Sequence, residues 1–185
     1  MKTLKVLGML LTYPETELSS AWPEMLPVLK QEKWLADKTL LAIENMAAWL
    51  TLTDLLDVQE EYVDLFDRTP SLSLHLFEHV HGESRERGQA MVDLSELYKQ
   101  KGFEISGAEM PDYLPLFLEY LSTQPIEDVH EHLGSIVNIL AAIGGRLAKR
   151  QSRYACIFSA LEELRRKNLI CRRCRKLWRP LPECL

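Results

Sequence analysis

From Val129 onward, Leu133, Ile136, Val137, Leu140 and Leu147 keep to one face of a helix for about five turns. A strand cannot carry that spacing, because its side chains alternate between faces with a period of two. Pro125 suits the start of this helix, and Glu127 and Asp128 follow where the positive helix end favours acids. Ala141, Ala142, Gly144 and Gly145 thin its middle, which lets a second helix approach closely at some cost in helix stability.

The same period recurs along the chain. Leu55, Val58, Tyr62 and Leu65 form one stripe, with Asp57, Glu60, Glu61 and Asp64 elsewhere on the helix. Met91, Leu94 and Tyr98 form another after Ser84, and Gly102 stands where a helix should stop. Leu114, Phe117, Leu118 and Leu121 make a third, with Asp112 as the expected N-cap and Pro115 in the first turn. Only Ser71–Leu76 alternates strictly, and with no second alternating run to pair with it this segment reads as a loop entering a helix. The expectation is an all-α, single-domain helical bundle of about seven to nine helices. With 185 residues, 46% of them hydrophobic, the core needs neither disulfides nor metal. The longest run without Asp, Glu, Lys or Arg, residues 132–145, is 14 residues, too short to cross a membrane, so no membrane insertion is expected.

Charge is unevenly placed. Residues 1–164 carry 14 Lys/Arg against 26 Asp/Glu, whereas 165–185 carry 8 basic residues against Glu183 alone. The acidic body repels phosphate backbones, so no nucleic-acid partner is expected of it, and it would steer a basic peptide inward. The tail's arginines lack the interleaved aromatics of a nucleic-acid site beyond Trp178. At the amino terminus, Lys2 and Lys5 before Val6–Leu11, with Ser19-Ser20-Ala21 further on, imitate a secretory signal. The competing reading, which Glu15 and Glu17 favour, is a first core helix that stops at Tyr13-Pro14.

Three His, three Glu and two Arg crowd into the thirteen residues from His75 to Arg87. Within them His75-x-x-Glu78-His79 matches the H-x-x-E-H pattern of zinc peptidases, in which two imidazoles one helical turn apart bind the metal and the acid serves as base. That alternative, a zinc-dependent hydrolase, needs a third ligand, and Glu83, His81, His130 and Glu131 are equally eligible. The plainer reading is a polar turn held by hydrogen bonds and ion pairs. Cys171-x-x-Cys174 lacks the second ligand pair of a structural zinc site and the βαβ setting of a redox site, and Cys156 reads as a core residue. No phosphate-binding glycine loop, G-x-S-x-G elbow or catalytic triad is present, and the expectation is that the protein is not an enzyme.

Leu65-Phe66-Asp67-Arg68 and the continuous stretch from Ser71 to Leu94 closely resemble the signature of the NarJ/NarW family, the cytoplasmic assembly chaperones of membrane-bound respiratory nitrate reductase. Pro111–Ser122 and Arg150–Ala155 agree in order and spacing, so the resemblance covers residues 1–164. It implies the TorD-like, all-α fold of redox-enzyme chaperones. It also implies a cytoplasmic protein that binds the N-terminal segment of the apo catalytic α subunit. The molybdenum cofactor is then delivered to that partner, not stably bound by the chaperone, and molybdenum cofactor biosynthesis proteins become further partners. Thr69-Pro70 stand where many relatives have Gly and Arg, and Glu109-Met110-Pro111-Asp112-Tyr113 replaces a Glu-Pro-x-Asp-His motif of distant relatives with tyrosine at its end. Residues 165–185 do not resemble the family and read as a basic, Cys-containing tail that is truncated, out of frame or disordered.

The expected peptide-binding residues are Glu78, His79, His81, Glu83, Arg85 and Arg87 as an ion-pair network shaping the surface. Asp112 and Glu119 are expected as acidic contacts, and Leu114, Phe117 and Tyr120 as groove apolars. A basic amphipathic helix would bury its apolar face there and pair its cations at the rim.

Overall fold

The computed structural model describes residues 1–82, 84–105 and 109–166. Ten α-helices account for most of them: α1 (Lys2–Met9), α2 (Thr16–Glu32), α3 (Asp37–Leu52), α4 (Leu55–Tyr62), α5 (Glu78–His81), α6 (Glu86–Gln100), α7 (Leu114–Ser122), α8 (Ile126–Ser135), α9 (Val137–Lys149) and α10 (Ala155–Arg166). No strand longer than an isolated bridge occurs among the described residues. The all-α expectation is met, with helices slightly more numerous because α5 is a single turn and one long stripe is divided. The stripe from Val129 to Leu147 breaks at Ile136, where φ −101° and ψ 7° leave the helical region between α8 and α9. Gly134 and Ser135 favour that break, since glycine is a poor helix former and the Ser135 hydroxyl donates back to the His132 carbonyl at 2.6 Å. Both halves still bury their apolar side: Val129, Leu133, Leu140, Ile143 and Leu147 are all fully buried.

α1 lies along α7. Its first turn is capped from a distance: the Glu32 carboxylate, at the end of α2, accepts from the Lys2 and Thr3 amides at 2.9 and 2.7 Å and from the Thr3 hydroxyl at 2.8 Å. Burial would raise the Glu32 pKa, but these hydrogen bonds to its charged form outweigh burial and lower it. Leu4, Leu7 and Leu11 are fully buried, so the apolar start of the chain is part of the core. α1 ends at Met9, earlier than Pro14 alone requires, and a turn through Thr12 finishes it, with the Thr12 hydroxyl donating to the Met9 carbonyl at 2.7 Å. Close approach of α1 to α7 depends on Gly8, whose Cα lies against the Pro115 carbonyl. α9 and α10 form a second close pair, at Gly144 against Phe158. α10 also packs on α3, and α2 bridges α1 and α3, with a Lys30–Glu44 ion pair at 3.0 Å between α2 and α3.

Two departures from regular helix shape the region between α4 and α6. α4 runs into a π-helical turn, Val63–Asp67, closed by the Arg68 amide donating to the Val63 carbonyl at 2.9 Å. A 3-10 turn, Pro70–Leu72, follows. The alternating segment after it does find a partner: His75 bridges Tyr113 in antiparallel fashion, with Leu76 N–H donating to the Asp112 carbonyl at 3.0 Å and Leu114 N–H to the Leu74 carbonyl at 2.8 Å. The partner residues, 112–114, have no alternating pattern of their own, which is why the pairing is absent from the sequence reading. α6 stops as expected at Gly102, which takes φ 73°, a left-handed value that suits glycine.

No helix among the described residues is long and apolar enough to cross a membrane. Of the basic tail expected over 165–185, Arg165 and Arg166 form the end of α10, and the rest, with Cys171, Cys174 and Cys184, lies outside the described residues. Cys156 is half-buried against the core: burial pushes its thiol up to about 12, and its Sγ lies 3.6 Å from the Met46 sulfur.

α8 carries two buried histidines. Both ring nitrogens of His130 lack a hydrogen-bond partner among the described residues, and the His132 ring packs against Phe117 and Tyr120. Burial lowers both pKa values, outweighing Glu127 near His130 and Glu131 and Asp128 near His132. The folded state therefore prefers neutral imidazoles, and their contribution is present above the unfolded pKa of about 6.5 and lost as pH falls through it. Thermal midpoints measured between about pH 7 and pH 5 should fall, and the fall should be shallower in a His130→Gln, His132→Gln variant. An unchanged slope would mean that these two groups are not what titrates.

Candidate functional site

The turns on either side of the His75–Tyr113 bridge enclose a cleft of about 190 Å³, lined by Tyr13, Tyr62, Phe66, Asp67, Leu74, His75, Glu109 and Tyr113. Its floor is aromatic and tied together by hydroxyls. Tyr62 Oη donates to the Leu11 carbonyl at 2.9 Å, so its 3.0 Å contact with Tyr113 is one in which Tyr113 donates. Burial pushes the phenols of Tyr62 and Tyr113 up, so both stay protonated as this chain requires. Tyr13 stands edge-on to Tyr62 at 5.6 Å, and Tyr154, from the start of α10, supports Phe66 at 5.1 Å and Tyr62 at 6.2 Å. Such rings offer large apolar area with little entropy to lose on binding. The π turn brings Phe66 inward while Asp67 stays exposed beside it, so the rim is acidic, with Asp67 on one side and the exposed Glu109 on the other.

Behind the cleft, Asp112 organises the segment that the bridge holds. Its side chain is fully buried. One carboxylate oxygen accepts from the Phe77 amide at 3.0 Å, and the other lies 3.4 Å from His75 Nδ1. The hydrogen bond to Asp112 raises the His75 pKa against the opposing effect of burial. The expected N-cap role is not taken: α7 begins at Leu114 behind Tyr113, without a side-chain cap. Asp112 points across to the 75–77 turn instead, because its own backbone is committed to the bridge.

The other expected site residues are dispersed. Glu78 pairs with Arg87 at 3.2 Å, and this is the one ion pair formed within the expected network among the described residues. His79 Nε2 donates to the Ser73 carbonyl at 2.8 Å, His81 packs edge-on against Phe77 at 5.6 Å, and Arg85 is exposed at the start of α6. Glu83 lies outside the described residues. Glu119 faces α1, where it pairs with Lys5 at 2.9 Å. Leu114, Phe117 and Tyr120, expected to line a groove, are fully buried, because α1 covers one side of α7 while Tyr98, Phe103 and His132 cover Tyr120. An apolar stripe looks the same whether a partner or the core covers it.

The H-x-x-E-H reading needs His75 and His79 one turn apart on a helix. α5 begins only at Glu78, His75 is extended, and the two imidazoles turn to Asp112 and to Ser73. No group of three or more His, Cys, Asp or Glu is placed to hold a metal ion among the described residues. The residues that build the cleft come from four separate stretches, and none of the eight is among the residues expected to bind peptide.

The two stretches joined by the bridge are those whose motifs carry the family resemblance, and comparison with known proteins agrees. The family model for the nitrate reductase delta subunit matches residues 32–160. The nitrate reductase molybdenum cofactor assembly chaperone NarJ of Escherichia coli K12 is 45% identical over 161 residues, covering 87% of this chain and 68% of that protein. This chain belongs to the NarJ/NarW family. The NarW chaperone of the same organism is 40% identical over 169 residues, 91% of this chain and 70% of its own length. A Bacillus subtilis NarJ is 29% identical over 168 residues, 88% and 89% of the two chains. The crystal structure of a protein described as a redox enzyme maturation protein, from Archaeoglobus fulgidus, superposes with a TM-score of 0.63 at 20% identity, over 88% of this chain and 91% of that one, so the fold is shared. NarJ/NarW proteins are chaperones and not catalysts.

Proposed function

We propose that this NarJ/NarW protein is a cytoplasmic chaperone for respiratory nitrate reductase that holds the N-terminal segment of the apo catalytic α subunit while molybdenum cofactor is inserted. The observation that carries this reading is the cleft between Tyr13 and Tyr113, an aromatic floor under an acidic rim, set where the two family motifs meet. A basic amphipathic helix would lay its apolar face on Tyr13, Tyr62 and Phe66 and bring its cations to Asp67 and Glu109. Glu78 and Arg87, paired with each other, act on the charge of His75, and Asp112 acts from behind by fixing that ring. Cofactor is cargo destined for the partner, supplied by molybdenum cofactor biosynthesis proteins that meet the chaperone and its client together.

Calorimetric titration with a peptide of the α subunit's first ~15 residues tests the assignment. Asp67→Lys and Glu109→Lys should each weaken binding about tenfold, whereas Glu86→Lys, on the exposed start of α6, should leave it unchanged. A heat-capacity decrease on binding should accompany burial of the apolar face. Equal affinity in all three variants would remove the cleft from the client's path.

A further inference from the structure

The rim of the cleft and the sequence that follows α10 are opposite in charge. Asp67 and Glu109 are both exposed, and neither sits in an ion pair among the described residues. Past Arg166, where α10 ends, the sequence supplies Lys167, Arg172, Arg173, Arg175, Lys176 and Arg179 against Glu183 alone. Leu169, Ile170, Leu177 and Trp178 are interspersed with these cations, so the segment is basic and apolar at once. That is the chemistry inferred for the client: apolar groups for the rings, cations for the rim. The floor has ring area to offer, since Tyr13 is 43% exposed above Tyr62.

The segment starts within reach of the cleft. α10 begins directly after Tyr154, whose ring stands 5.1 Å from Phe66 in the floor. At 1.5 Å per residue its 12 residues rise about 18 Å, which puts Arg166 no more than about 25 Å from the floor whichever way the helix points. An extended chain advances ~3.3 Å per residue, so Arg172 and Arg173 reach about 20 Å from Arg166 and Trp178 about 40 Å. A tether of this length holds the segment at an effective concentration on the order of millimolar, so a contact too weak to form between separate molecules is populated within one.

We propose that residues 171–178 of this chain occupy the cleft as a stand-in for the client, which has to displace them. Arg172 and Arg173 pair with Asp67 and Glu109, and Trp178 lies on the rings of Tyr13 and Phe66. The displacement rests on the client reading of the cleft, whereas the docking rests on charge, ring area and reach alone. Occupation from within covers the floor between clients and sets a threshold: only a segment that binds better than the tethered one gains entry.

The full chain carrying Met110→Cys tests the docking. Met110 is exposed beside Glu109. In a glutathione redox mixture the introduced thiol should form a disulfide with Cys171 or Cys174 of the same molecule, identified by mass spectrometry of proteolytic fragments and by monomeric migration without reductant. Arg172→Glu with Arg173→Glu should abolish that disulfide, and raised salt should reduce its yield. In calorimetric titration the same pair of tail substitutions, placed in the chain with Met110 intact, should tighten binding of the α-subunit peptide about tenfold, because the internal competitor is gone. Absence of the disulfide, or a product joined mainly between two molecules, would overturn the docking. A peptide affinity indifferent to the tail substitutions would overturn the displacement and leave the client reading intact. Loss of peptide binding in every chain, with the disulfide still formed, would instead sink the client reading and support the docking.

Discussion

Asp112→Ala should lower the thermal midpoint by about 6 to 12 °C, the effect of losing about 3 kcal/mol in a domain of this size. The substitution removes the acceptor of the Phe77 amide and the partner of His75 Nδ1 from a site with no access to water. Asp112→Asn should cost less, since an amide oxygen can still accept from Phe77. The pH dependence of the loss has a definite sign. The His75 pKa is raised in the folded state, so the stability drawn from the His75–Asp112 contact is fully present below the unfolded histidine pKa and disappears as pH rises through the folded one. The gap between wild type and Asp112→Ala should therefore widen as pH is taken from 8 to 6, read by differential scanning fluorimetry. A gap that does not change with pH would show that Asp112 acts through the Phe77 amide alone, and a shift below about 2 °C would show that the bridge does not depend on it.

Gly8→Ala should cost about 2 kcal/mol in urea unfolding, although alanine is the better helix former by about 1 kcal/mol. A Cβ there would lie 2.9 Å from the Pro115 carbonyl oxygen and 3.3 Å from Leu118 Cβ. The oxygen is backbone in the first turn of α7, so the clash can be relieved only by moving α1 from α7 as a body. Tyr113 immediately precedes that turn and bonds to Tyr62, which in turn bonds to Leu11 in the turn after α1, so affinity for the proposed client peptide should fall together with stability. Gly145→Ala is the control: nothing lies within 4 Å of its added carbon, and the variant should gain up to about 1 kcal/mol. If Gly8→Ala were as harmless as Gly145→Ala, the two helices would have to be less tightly apposed than described.

Helix identity was legible from spacing because burial selects for it: α4, α6, α7 and α9 all bury the stripes that the sequence marks. The break at Ile136 was not, since both sides of it continue the same face and only local backbone preference at Gly134 and Ser135 separates them. The site was legible as a place in the chain and not as a set of contacts. Asp67 and Phe66 owe their positions to a π turn, a one-residue irregularity without a periodic signature. Tyr13 and Glu109 lie in connections, where no stripe points to them. Leu114, Phe117 and Tyr120 are apolar and near the motif, the properties expected of a groove and equally those of the interior they occupy. Asp112 is the instructive case, because its residue type suggested capping or ligand contact and only the bridge shows that it serves the backbone of residues 75–77.

Tyr154 enters the chain long after the residues it supports, and the Tyr62–Tyr113 contact likewise waits on a segment some fifty positions downstream. During translation, the aromatic floor remains incomplete until nearly all of the helical body has left the ribosome. If the cleft holds the client as proposed, a half-made molecule would lack that surface, and only finished copies would compete for a newly emerging client.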